Sequence, residues 1–117
     1  MEISGQAVLL RVFIGESDKL GHCPLYEAIV KEARAAGLAG ATVLKGVLGY
    51  GATARIRTAK ILDLSADLSL VVEIVDEETK VTAFQHRLSE MFEQANCGGL
   101  VTLENIRVVQ YVPEKLG

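Results

Sequence analysis

The densest chemistry in this 117-residue sequence lies between positions 45 and 60. Gly46, Gly49 and Gly51 punctuate a segment that also holds Tyr50 and four cations, Lys45, Arg55, Arg57 and Lys60. Glycine lets backbone amides approach a ligand closely and take positive φ. Each arginine can donate two parallel hydrogen bonds to a phosphate. The combination suits anion binding. The same residues also suit an exposed, mobile hairpin with solvated charges, and spacing alone does not choose between the two. It is not the dinucleotide fingerprint, because the glycine spacing differs and no tight strand–turn–helix follows.

Little else in the chain could do chemistry. No paired carboxylates, Ser/His/Asp set or Cys/His set stands out, so no catalytic residue is assigned. His22 and Cys23 are neighbours in a loop, where adjacent side chains rarely meet productively. Cys23 and Cys97 form no CxxC pattern and share no ligand spacing with His22 or His86, so no metal site is expected. The start Met1-Glu2-Ile3-Ser4 lacks the features of a signal peptide, and the expected location is the cytoplasm, with both cysteines as thiols. A net charge of −3 lacks the basic field of a nucleic-acid binder. No apolar run approaches the ~20 residues that span a bilayer, so no direct membrane insertion is expected.

The elements that must position these residues follow from periodicity. The length allows a single domain over 1–117. A strand is predicted over Ala7–Ile14, then a loop over Gly15–Gly21. Pro24 opens a helix whose apolar face is Leu25, Ile29, Ala33 and Ala36, and Gly37 stops it. A second strand covers about Ala41–Leu48. A third covers about Leu70–Val75, with a short piece before it at Ile61–Leu64. Asp76 is the expected N-cap of a second helix along Val81, Phe84, Leu88 and Met91, to about Gln94. Leu100–Thr102 and Ile106–Val112 end the chain as strand. The βαββαβ order gives an α+β, ferredoxin-like sandwich: a four-stranded antiparallel sheet, order 4-1-3-2, with both helices on one face.

Two strands are apolar on both sides. Val8, Leu10, Val12 and Ile14 form one face of the first strand, and Ala7, Leu9, Arg11 and Phe13 the other. In the third, Leu70, Val72 and Ile74 oppose Val71, Glu73 and Val75. A sheet with one face in water alternates apolar with polar. These strands do not, and two helices cover only one face. The second face therefore predicts a homo-oligomer packed through its sheets, with Val71 in the interface. Arg11 and Glu73 lie on that face on neighbouring strands, where unpaired charges would be costly, so they are expected to pair; the alternative is that each reaches solvent at the rim.

Ordered segments along almost the whole chain resemble the PII-like superfamily, GlnB-like proteins, and within it the branch called domain of unknown function one-ninety. They run from Leu10–Asp18 through Pro24–Val30, Gly37–Gly46, Gly49–Gly51 and Val72–Asp76 to Gly99–Glu104. The resemblance implies a trimer with ligand sites in the clefts between subunits. Gly49-Tyr50-Gly51 looks like the Gly-Phe-Gly that opens the regulatory loop of PII proteins, at whose base adenine nucleotides bind. Gly98, Gly99 and Leu100 fall where those proteins place a second, phosphate-contacting glycine loop. Two features depart from the pattern. The lysine after the second loop's glycines is replaced by Leu100, and Val108 and Gln110 stand where arginines are usual. Less positive charge favours AMP or ADP over ATP.

The resemblance implies a signalling module in which loop 49–60 is the switch. The alternatives are a trimeric adaptor without a ligand, with a membrane transporter as a partner lead, and a metal-tolerance protein of the same fold. Acylphosphatase shares the element order, but would need an arginine-ended phosphate loop directly after the first strand. Here Gly15-Glu16-Ser17-Asp18-Lys19 is acidic. A regulator rather than an enzyme is expected.

Overall fold

The computed structural model describes residues 5–50, 57–58 and 68–114. Its elements are β1 (Gly5–Gly15), β2 (Lys19–Leu20), β3 (Cys23–Pro24), α1 (Leu25–Ala35), β4 (Ala41–Lys45), β5 (Leu48–Gly49), β6 (Arg57–Thr58), β7 (Ser69–Asp76), α2 (Glu78–Ala95) and β8 (Leu100–Val108). The main sheet is antiparallel in the order β4-β7-β1-β8, the predicted 4-1-3-2 arrangement. Leu10 and Val12 of β1 and Val72 and Ile74 of β7 are fully buried against Leu25 and Ile29 of α1 and Val81, Leu88 and Met91 of α2.

The helices form where the periodicity places them. In α2 all four predicted apolar positions, Val81, Phe84, Leu88 and Met91, are buried. In α1 the buried face is Leu25, Ala28, Ile29 and Ala33; Ala36 lies beyond the last turn and is exposed. Gly37 takes φ +76°, and the amides of Gly37 and Leu38 reach back to the carbonyls of Arg34 and Ala33. This is a Schellman stop, and it needs the left-handed residue that glycine supplies.

Several boundaries depart from expectation. The loop after β1 contains a hairpin, β2 with β3, turning at Gly21 with φ +63°. A glycine in the first turn position suits such a two-residue connection. The second strand breaks at Gly46, whose amide bonds to the Ser69 carbonyl, and β5 leaves to pair with β6 in a separate two-stranded sheet. The last strand runs unbroken from Leu100 to Val108, because its pairing with β1 continues from Leu100 through Val108. Residues 109–112 are not strand. Asp76 is not the N-cap of α2. That position is Glu77, with no side-chain capping bond. The piece expected at Ile61–Leu64 lies outside the described residues.

Candidate functional site

The face of the sheet away from the helices carries apolar and charged side chains in register. One row across the four strands is Leu44, Val71, Phe13 and Leu100; the next is Thr42, Glu73, Arg11 and Thr102. Leu44, Phe13 and Leu100 remain 48%, 36% and 58% exposed in the single chain, so this apolar row is uncovered.

Arg11 and Glu73 are direct partners in the β1–β7 register, and they pair. The Arg11 Nε donates to Glu73 at 2.9 Å, and its Nη1 donates to Glu104 at 3.1 Å. The hydrogen bond to Glu73 is the main reason the guanidinium is held above its ordinary pKa. Desolvation opposes this, and the charges of Glu73 and Glu104 add to it. Glu104 was not anticipated. It follows from β8 lying beside β1, which places Glu104 on the same face, one diagonal step from Arg11.

At one end of this face lies a concavity of about 430 Å³. Its floor is Leu9, Glu73 and Val75, one wall is Ala39 to Thr42, and the other is Val108, Gln110 and Tyr111. Pockets that hold small ligands have this makeup, mostly apolar with a few placed polar groups. The polar side chains here are the Glu73 carboxylate, the Thr42 hydroxyl, the Gln110 amide and the Tyr111 phenol. Sequence reasoning missed it. Strand alternation identified the face but not the path of residues 108–111, which carries Tyr111 to the same concavity as Thr42.

The glycine-rich elements singled out from the sequence sit at the opposite end of the sheet. Gly46 follows β4, and β5 pairs Gly49 with Arg57. Tyr50 is exposed, as are Val47 and Leu48. Lys45 is bound to Glu16, with Nζ 2.8 Å from the carboxylate, so one of the four cations is already neutralised within the chain. Gly51, Arg55 and Lys60 lie outside the described residues. Gly98, Gly99 and Leu100 lead into β8, beside Phe13. A Cβ on Gly99 would meet the Phe92 ring at 2.5 Å, so close packing alone demands glycine there. Since β4 and β8 are opposite edges, Gly46 and the Gly98–Leu100 segment do not meet within one chain. Three strand spacings, roughly 14 Å, separate them.

Among the described residues no three His, Cys, Asp or Glu side chains group so as to hold a metal ion. Cys23 and Cys97 are free thiols. The Cys97 pKa is raised, first by burial and then by the charge of Asp18. In the acidic turn, Asp18 accepts a hydrogen bond from the Gly15 amide at 2.8 Å. No helix among the described residues is long and apolar enough to cross a membrane.

The family model DUF190, described as "Uncharacterized ACR", matches residues 7–108. A UPF0166 protein of Aquifex aeolicus is 41% identical over 101 residues, covering 86% of this chain and 91% of that protein. A UPF0166 protein of Methanocaldococcus jannaschii is 30% identical over 103 residues, covering 88% and 92%. Among solved structures, the fold is similar to that of CPII, a nitrogen regulatory PII-like protein of Thiomonas intermedia, bound to ADP, AMP and bicarbonate. The TM-score is 0.67 at 17% identity, with 90% of each chain covered. The apo form of CPII gives a TM-score of 0.59 at 16% identity, covering 88% of this chain and 91% of that one.

Proposed function

The chain belongs to the DUF190 family, and on that footing we propose that it is a PII-like regulator that binds an adenine nucleotide between the subunits of a homotrimer. AMP and ADP are preferred to ATP, and loop 49–60 is the switch. The concavity on the open face carries the proposal. Leu9 and Val75 of its floor can pack against a base, the Glu73 oxygen not bound by Arg11 can accept from an exocyclic amine, and the Thr42 hydroxyl can donate to a ring nitrogen. CPII, whose fold this chain shares, is solved with ADP and AMP bound, which supports the same ligand class here.

A nucleotide with its base against Thr42, at the rim of the concavity, can run along the β4 edge with its phosphates toward Gly46, four residues or ~13 Å further on, and the Gly49-Tyr50-Gly51 segment after it. Arg55 and Arg57 are the proposed phosphate donors. The second set, Gly98, Gly99 and Leu100, lies on the opposite edge and must come from a neighbouring copy. A ring in which the β4 edge of one copy meets the β8 edge of the next brings the two together. The apolar row of Leu44, Val71, Phe13 and Leu100, exposed at all but the half-buried Val71, would be covered in that assembly together with the Arg11–Glu73 pair. Leu100 in place of a lysine, and the retention of Lys45 by Glu16, both lower the positive charge available to a triphosphate.

The proposal is tested by affinity measurements on the wild type and on Arg55→Ala and Arg57→Ala. Each charged contact contributes about 1.5–3 kcal/mol, so each variant should bind AMP or ADP roughly tenfold to a hundredfold more weakly. Proteolysis within 50–60 should slow when nucleotide is present, because ordering a loop protects it. Wild-type affinity in both variants would remove the arginines from the site.

A further inference from the structure

Asp76 ends β7 and is fully buried. Burying a carboxylate is costly unless its oxygens are hydrogen-bonded. Both are. Oδ1 accepts the Glu77 amide at 2.7 Å, and Oδ2 accepts the Ala39 amide at 2.8 Å, 37 residues away in sequence. No ion pair to Asp76 is found among the described residues; backbone amides at the start of α2 and in the turn before β4 hold it.

That turn is one wall of the concavity. The ladder between β4 and β7 fixes the wall only as far as Ala41, opposite Ile74. Ala39 and Gly40 lie beyond it, yet both line the concavity. On the helix side the turn is anchored by the Schellman bond from Leu38 to Ala33. On the sheet side the anchor is Asp76. The same strand supplies Glu73 and Val75 to the floor, so the bond from Ala39 to Asp76 sets the wall's position relative to the floor.

We infer that Asp76 is a positioning residue for the ligand concavity, holding the 39–40 wall in register with Glu73 and Val75; this rests on the proposed ligand site. Asp76→Asn keeps size and shape but turns one acceptor into a donor, which then faces an amide N–H. The fall in affinity should exceed anything that lost stability alone would cause. Leu88→Ala serves as the comparison, because it opens a cavity under α2 without touching the concavity.

The test is amide exchange read residue by residue, with calorimetric titration of AMP and ADP, on the wild type and both variants. In the wild type the Ala39 amide should be as protected as ladder amides of β4. In Asp76→Asn it should exchange at least about tenfold faster, and AMP should bind about tenfold more weakly. Leu88→Ala should melt earlier yet bind as the wild type does. An unprotected Ala39 amide in the wild type overturns the inference, and so does a folded Asp76→Asn with wild-type affinity. If Asp76→Asn does not fold, the wild type decides. AMP should then slow exchange at Ala39 more than in α1, and an equal effect overturns the inference. If the wild type binds neither AMP nor ADP, the nucleotide proposal fails, while protection at Ala39 still judges the clamp.

Discussion

Gly99 shows why a glycine-rich segment cannot be assigned to ligand contact by composition. Its missing Cβ makes room for the Phe92 ring and for the Phe13 carbonyl, which would lie 3.0 Å away. Gly99→Ala should therefore destabilise the protein by about 1–3 kcal/mol in denaturant unfolding, ligand or no ligand. An unchanged midpoint would return Gly99 to a purely ligand-facing role. Arg11 and Glu73 were legible from alternation and strand order alone, because neighbouring strands with matching parity bring such pairs face to face. Glu104 was not, since it required the exact β1–β8 register. A double-mutant cycle on Arg11→Ala and Glu73→Ala should be non-additive, with the double change costing less than the sum of the singles. Additive effects would mean the two side chains act independently. Cys97 adds a pH dependence. Its raised pKa means the folded state favours the thiol. The resulting stability is fully present below the unfolded-chain value near 8.5, and is lost as pH rises through the higher folded value. Melting temperature should fall with pH above about 8.5, and less steeply in Cys97→Ala; parallel curves would contradict this.

At the scale of elements, both helices were readable because each has a clear apolar stripe and a stop, Gly37 for α1 and the left-handed Asn96 for α2. Gly37→Ala places a Cβ at φ +76° and should cost about 1 kcal/mol in thermal unfolding, with no change expected if the turn simply reshapes. What escaped the sequence were features set by pairing rather than by pattern. The β2–β3 hairpin is two residues on each side, too short for any period to register. The continuity of β8 depends on its long pairing with β1, which carries it through Glu104 and Asn105. The concavity depends on a non-strand tail, residues 109–111, whose course no alternation encodes. Asp76, read as a cap from its type and place, instead spends one oxygen on a turn far away in sequence.

The whole molecule poses the question that a single chain leaves open: what covers the second face. Two helices occupy one side of the sheet, and a row of apolar side chains crosses the other. Val71→Asp would place a charge in that row and should dissociate the proposed trimer in light scattering. A variant still at three times the monomer mass would exclude this face from the interface. Family and fold were legible from ordered short segments. The ligand was less so, since its phosphate side rests on residues around 51–60 and its base side on a concavity visible only in three dimensions. The most direct measurement is calorimetric titration of the wild type with AMP, ADP and ATP. The nucleotide-sensing trimer should bind one adenine nucleotide per chain, AMP or ADP more tightly than ATP, with binding weakened by salt. Absence of any adenine nucleotide binding below millimolar would contradict it and leave a ligand-free trimeric adaptor in its place.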